Sequence, residues 1–510
     1  MMKRFLRISL VVVLVLAAVA MGAWYFFLRR TVPAHAQCIP KNAFAVVTLN
    51  VRELALDQRG EAHLFPGMEK KMPEELNVLL RAIKANDGSG LKETADVLAF
   101  GFQVDEDAFF GVAMAMDDEK KFGSLVQQQL SKNYRIQSIG NSLVQFDTTS
   151  AVMGWNTQYA LFLYPISNSD AKTVAACCTK LLTQTTNASV LSSQAFREHE
   201  LSAFDAGVWI QAEPLLHFTN AKFLRTSLFG VDNLSFSIDF REGETSIRRL
   251  THYKSASMLP QQEEAPLLVC DPKEITGFVQ LNFDPKNAAL ADDLVDGAAF
   301  NALPFSDEEA KTLLNYMNGN CTLLLHDTLP YSRRYITYKY DEDFNQVTDT
   351  AMKRETELAM TYAFGLSRSA ENEIRTIMEH DSIPYLNNAW TIDEGGLTRR
   401  MMLSGETLVV TTWPSCDGKL RPLPADWQSL GLRIDLGKLV NKGVFDIVGF
   451  FFPQLDGSFA LLAEQLADAT ATQSVLNGMM TSSDIRIRMK NTDLNALVQF
   501  EDIFRKGMQR

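Results

Sequence analysis

His199 and Glu200 open the stretch "HELSA". A zinc protease needs His-Glu-x-x-His on a helix, because histidines at i and i+4 share one face and the glutamate serves as base. Ala203 stands where the second histidine would be. The other histidines, at 35, 63, 217, 252, 326 and 380, are scattered and show no ligand spacing. "DEDFNQVTD" at 341–349 sets Asp341, Asp343 and Asn345 at calcium-loop spacing, but Gln346 replaces the required glycine and Met352 the twelfth-position glutamate. No Gly-x-Ser-x-Gly, P-loop or Gly-x-Gly-x-x-Gly occurs. The acidic pairs Asp117/Asp118 and Asp292/Asp293 carry little weight among 61 acidic residues. No residue is therefore assigned a catalytic, cofactor-binding or metal-binding role, and no cofactor is expected.

The six cysteines form no regular framework. Neighbouring Cys177 and Cys178 cannot bridge each other without strain, and "AACCTKLL" reads as a helix with at least one thiol turned inward. A Cys270–Cys321 bridge stands open as a pairing; buried free thiols are the plainer reading.

The elements that would position these residues are mostly strands. Short β-prone runs are predicted at 44–49, 95–103, 109–116, 134–139, 142–147, 150–155, 159–164, 206–212, 232–240 and 245–253 in the first half. In the second they fall at 276–282, 321–326, 334–340, 360–366, 396–403, 407–413, 428–435 and 484–490. Helices are predicted at 73–86, 119–130, 170–183, 191–199, 307–318, 369–380, 457–468 and 493–506. Short turns such as "SIGNSLVQF" and "DEGGL" mark hairpins. The fold class expected is α+β, with mostly antiparallel sheets.

The two halves echo each other. "PKNAFAVVTLN" at 40–50 returns as "PKEITGFVQLN" at 272–282. In each, an apolar strand ends at an asparagine able to cap the next turn. Strand-then-helix stretches follow in the same order, each with a glycine inside the strand. A tandem duplication is expected: a first α+β domain at 31–255, a linker at 256–271 and a second domain at 272–510.

Residues 8–28, "ISLVVVLVLAAVAMGAWYFFL", carry no charge and are long enough to span a bilayer as a helix. Lys3, Arg4 and Arg7 before the span outweigh Arg29 and Arg30 after it once the terminal amine is counted. This predicts a cytoplasmic tail at 1–7 and the body outside the cytoplasm. A cleaved signal peptide is one alternative, with Ala34 and Ala36 in a small-x-small pattern, and a lipid-modified Cys38 is another, although "AHAQ" lacks the Leu and small residue expected just before such a cysteine. The first 30 residues hold five basic and no acidic side chains, which leaves the remainder about 17 charges negative. That excludes nucleic acid as a partner, since phosphates require basic neutralisation.

The segment "CIPKNAFAVVTLNVRELA", just after the apolar run, resembles the start of a Bacteroidota family of cell-envelope proteins of unknown function. The resemblance rests on Ile39, Pro40, Lys41, Ala43, Ala45, Val46, Val47 and Leu49. It implies an exported protein of the cell envelope, and it carries no catalytic residues. Many members look lipidated, whereas this chain has a spanning helix, which favours the inner membrane. The expected function is that of an envelope-anchored, non-enzymatic binding or structural protein. It would act in the periplasm through contacts with other envelope proteins. The alternatives are an envelope hydrolase using carboxylates and a carrier of lipid or another hydrophobic ligand.

Overall fold

The computed structural model describes residues 30–57, 89–92, 94–130, 136–140, 142–146, 150–167, 169–202, 204–219, 228, 230–256, 265–282, 307–340, 346–367, 370–380, 383–394, 396–440 and 464–507. The apolar run 8–28 and the helix expected at 73–86 lie outside them. Among the described residues, no helix is long and apolar enough to cross a membrane.

The chain divides into two compact units, Met1–Leu54 with Glu75–Ile210, and Ala55–Glu74 with Gln211–Arg510. The first holds β1 (Ala43–Leu49), β2 (Val97–Val104), β3 (Asp107–Ala115), β4 (Ile136–Gly140), β5 (Leu143–Phe146), β6 (Val152–Trp155), β7 (Tyr159–Pro165) and β8 (Ala206–Gln211). All pairings are antiparallel, in the order β8-β1-β2-β3-β7-β6-β5-β4.

The central strands bury both faces. Phe109, Ala113, Leu161 and Leu163 pack under the helix Ala171–Thr183, which turns Val174, Ala175, Cys178 and Leu181 inward. Val112, Met114, Ala160 and Phe162 pack on the opposite face, against Phe122 and Val126. This explains why "FFGVAMA" and "YALFLYP" are nearly continuous apolar runs rather than alternating ones. The glycine expected inside the strand is Gly111, where a Cβ would collide with the Phe100 ring.

The second unit holds ten described strands from β11 onward, together with the hairpin β9 (Val231–Arg241) and β10 (Glu244–Tyr253). They are β11 (Gly277–Asn282), β12 (Met317–Tyr340), β13 (Gln346–Leu366), β14 (Tyr385–Leu386), β15 (Ala389–Glu394), β16 (Leu397–Ser404), β17 (Thr407–Thr411), β18 (Leu432–Ile434), β19 (Leu466–Asn477) and β20 (Met480–Met489). Their order is β9-β10-β20-β19-β18-β11-β12-β13-β17-β16-β15-β14, again antiparallel throughout. From β18 to β14 this repeats the order of the first unit strand for strand. The β9–β10 hairpin, assigned by sequence to the domain 31–255, pairs through β10 with β20.

One face of this sheet meets the helix Ala370–His380 through Ile374 and Met378. The other is covered by Leu268, Val269, Cys270, Cys416 and Trp427. The strands expected at 321–326 and 334–340 are one strand of 24 residues, and the stretch 466–468, expected to end a helix, begins β19. β19 lies between β18 and β20, and that pairing overrides the weak local preference of an alanine- and threonine-rich segment.

Asn50 does what its place after β1 suggests. Its side-chain oxygen accepts from Glu53 N at 3.2 Å, and its amide donates to the Phe204 carbonyl at 3.2 Å. Asn282 ends β11, which occupies the same place between its neighbours as β1 does. Within β1 the deeply buried residues are Ala43, Phe44, Val46 and Thr48, so Val47 is only half-buried.

Candidate functional site

Three groupings of side chains could carry function, and two are sealed inside the units. The first forms where β1, the start of β2 and the helix Gln194–Leu201 meet. That helix is capped by Ser193, whose hydroxyl accepts from Phe196 N, and it ends with His199 and Glu200 buried. The Thr48 hydroxyl donates to Glu200 Oε1 at 2.7 Å. Arg30 reaches in from the N-terminal side. Its Nη2 lies 3.2 Å from Asp96 Oδ2 and 3.7 Å from Glu200 Oε2, and its Nη1 donates to the Phe204 carbonyl at 3.0 Å. The guanidinium sits 3.7 Å above the Phe204 ring, which stacks on His199.

Burial sets the protonation here. Desolvation pushes the Glu200 carboxyl up to about 7, against the pull of Thr48 and Arg30. Burial likewise raises Asp96 and lowers His35 and His199 to about 4. A buried carboxyl near neutrality is the kind of group acid–base catalysis uses. Glu200 is 0% exposed, however, and the neighbouring cavity beside Asp96, Ser89 and Lys92 is about 20 Å³, room for one water. Among the described residues this carboxyl is closed off from solvent. The cluster instead locks residues 30–38 into the first unit. Gln37 and Gln184 exchange side-chain-to-backbone hydrogen bonds, and His35, Ala36 and Cys38 are buried.

The second grouping surrounds His326 in β12. Its Nδ1 lies 3.0 Å from the Glu274 carbonyl, which can only accept, so Nδ1 carries the proton. Nε2 then accepts from the Thr361 hydroxyl at 2.8 Å, and Thr411 lies 2.6 Å beyond on the same chain of hydroxyls. Burial lowers the His326 pKa and favours this neutral form, and the ring stacks on Trp413. The Cys270 thiol faces Thr361 at 3.7 Å, and Cys416 lies beside it. Cys270 is thus brought to Cys416. Cys321, the partner raised from sequence, packs with Met317 and Phe364 in a different part of the core. Among the described residues no three His, Cys, Asp or Glu side chains are grouped to hold a metal ion.

The third grouping is open to solvent. Beyond a register shift at Leu325/Thr328, β12 and β13 continue as a two-stranded ribbon of thirteen residue pairs, from Thr328↔Leu358 to Tyr340↔Gln346. At about 3.3 Å per residue this is roughly 40 Å long. On one face Tyr331 and Tyr335 donate to Glu355, and Lys353 adds an ion pair at 3.4 Å. The other face presents Ile336, Tyr338 and Met352, each more than 60% exposed. The ribbon rests near its base on Gly396, whose φ of +105° and whose closeness to the Ser332 carbonyl leave no space for a side chain. Of the "DEDFNQVTD" stretch, 341–345 fall outside the described residues and 346–349 belong to β13.

Comparison with known proteins adds a family likeness for the first unit. Residues 35–228 match a domain of unknown function (DUF4836). The matched span runs from the buried 34–38 turn through β8 and stops short of β9. No curated protein matches the chain. Solved structures of TP0453 resemble it distantly. Crystal form IV is 10% identical with a TM-score of 0.24, over 42% of this chain and 80% of that one. Crystal form I is 9% identical with a TM-score of 0.25, over 44% and 79%. At that distance no fold or role transfers.

Sequence reasoning noticed His199-Glu200 only as a failed zinc motif. Arg30, Thr48, Asp96 and Glu200 come from four separate segments, so no local spacing announces them. The ribbon left a trace in "YSRRYITYKY", which alternates but has no partner face to bury.

Proposed function

We propose that the chain is an envelope-anchored, non-enzymatic binding or structural protein. The run 8–28 holds it in the inner membrane as a single span, with 1–7 in the cytoplasm and the body in the periplasm. It works by contacts with other envelope proteins. The observation that carries this reading is the ribbon. A two-stranded segment of this length is marginal on its own, and it displays Ile336, Tyr338 and Met352 to solvent while the groups able to do chemistry are sealed. Apolar surface rimmed by charge, here Arg334 and Arg354, is characteristic of contact sites.

We also propose that the two units are copies of one ancestral domain, of which residues 35–228 are the recognisable one. The common strand order supports this. So do the helices Glu119–Leu125 and Ala370–His380, which follow β3 and β13, strands at matching places in the two orders, and the register of Cys38-x-Pro40-Lys41 with Cys270-x-Pro272-Lys273. A hydrolase reading would need Glu200 within reach of water and substrate.

A photo-crosslinking residue placed singly at Ile336, Tyr338 and Met352 in intact cells tests the contact. The same probe at exposed Leu420 and Leu494 is the control. A defined protein adduct at ribbon positions alone is expected; no adduct, or equal adducts at the controls, removes the reading.

A further inference from the structure

We propose that Cys270 and Cys416 form a disulfide, made when the chain meets a disulfide-bearing oxidant as it folds. The two residues are 146 positions apart in the sequence and converge behind β11, β13 and β17. Cys416 Sγ donates to the carbonyl of Val269, the residue before Cys270, at 3.4 Å. The Cys270 thiol reaches the Thr361 hydroxyl at 3.7 Å, and both thiols pack in one buried cluster with Val269, Phe278 and Val409. Neither sits in a helix or strand. Cys270 closes the segment that leads into the Pro272–Glu274 turn, and Cys416 lies in the turn after β17.

The surroundings hold both backbones in place. Arg421 N donates to the Leu268 carbonyl at 2.7 Å and its side chain to Val269 O at 3.2 Å, while Arg400 Nη2 donates to the carbonyls of Trp413, Pro414 and Cys416. Two thiols so held, 0% and 1% exposed, face each other across the chain's own packing. Cys38 and Cys178 also share a core, where burial drives both thiols far up. Burial raises Cys321 to about 12 with no partner thiol.

The chemistry balances with a small-molecule or protein disulfide as oxidant. Contact with Cys270 lowers the pKa of the Cys416 thiol. As thiolate it attacks one oxidant sulfur and expels the other as a thiolate, which takes up the proton. Cys270 then loses its proton and attacks Cys416 Sγ, releasing the second oxidant half. Two protein thiols become one disulfide, and the oxidant disulfide becomes two thiols. The bond ties the chain leading into β11 to the end of β17 and closes a long loop, where a cross-link restricts the unfolded chain most. The oxidant's availability in the cell rests on the extracytoplasmic placement proposed above, but the pairing does not.

The test uses the full chain in detergent, reduced, unfolded and refolded in a mixture of reduced and oxidised glutathione. Peptide mapping is expected to find 270 joined to 416, with two of the six thiols lost and a thermal midpoint raised by roughly 5–15 °C over the reduced protein. Cys416→Ser and Cys270→Ser should each lose that rise, with the reduced wild type showing that the fold forms without the bond. Six free thiols after refolding, or a bond to Cys321 or between Cys38 and Cys178, would overturn the proposal. Alkylation of thiols in intact cells is a separate reading of the compartment. A pair that forms in vitro but is reduced in cells counts against the periplasmic placement and leaves the pairing standing.

Discussion

Arg248 and Asp484 are cross-strand partners, with Nε and Oδ1 3.0 Å apart, and each is the fifth residue of the second strand of its hairpin. They are 236 positions apart. The same spacing relates the hairpin turns, Arg241/Glu244 and Asn477/Met480. Two hairpins with the same turn therefore meet edge to edge, each pairing with its counterpart about a point at this ion pair. Glu244 lies opposite Arg488, and His252 opposite Met480, at equal distances from it.

The register here is tested by charge exchange. Arg248→Asp sets like charges opposite each other and should cost about 1 kcal/mol, and adding Asp484→Arg should recover most of it. Urea unfolding of the four proteins of the cycle measures the coupling. A coupling of zero would mean the two strands do not share this register.

Within β1, burial alternates, and the prediction alternates with it. Val46→Asp sets a charge at a position 1% exposed and should cost about 4 kcal/mol or unfold the unit. Val47→Asp, on the half-buried side, should cost about 1–2 kcal/mol. Asn50→Ala removes one cap and one bond to Phe204 O and should cost about 1 kcal/mol. If Val47 proves the more sensitive of the two valines, the strand faces the other way.

Much of this architecture is legible in the sequence because strands with a buried core write themselves as apolar runs. "FAVVTLN" and "YALFLYP" need no partner to be recognised. β19 is not legible, since its alanines and threonines become a strand only by lying between two others. The ribbon is broken in the sequence by Pro330. A two-stranded segment tolerates a proline wherever its missing N–H would have pointed to solvent. The buried polar cluster is the least legible part. Arg30 and Glu200 are 170 positions apart, and only the fold brings them together.

Stability should depend on pH with opposing contributions. His35 and His199 fall from 6.5 to about 4 on folding, so between those values the unfolded chain binds more protons and stability rises with pH. Glu200 rises from 4.5 to about 7, so there the folded chain binds more protons and stability falls as pH rises. Glu200→Gln deletes the second contribution alone. Between pH 5 and 7 its stability should climb more steeply than that of the wild type, by about 1 kcal/mol per pH unit. Urea midpoints at pH 5, 6 and 7 check this; parallel curves would mean that Glu200 is ionised throughout.

The same cluster bears on how the N-terminus is processed. Cleavage after Ala36 would remove Arg30, His35 and Ala36, leaving Asp96 and Glu200 buried without their cation. Breaking such a partly buried pair costs roughly 3 kcal/mol or more. Cys38 is 0% exposed and packed between β3 and the helix Ala171–Thr183, so an acyl chain on its sulfur would have no room. The expected mature protein therefore keeps Arg30 and, with it, the apolar run two residues earlier. Mass spectrometry of the N-terminal peptide from membranes should find sequence upstream of residue 30. A chain starting at Gln37 should melt lower than the intact one, and Arg30→Ala should reproduce most of that loss. If the membrane form begins at Gln37 and is as stable as the longer chain, Arg30 is not the lock that these contacts describe.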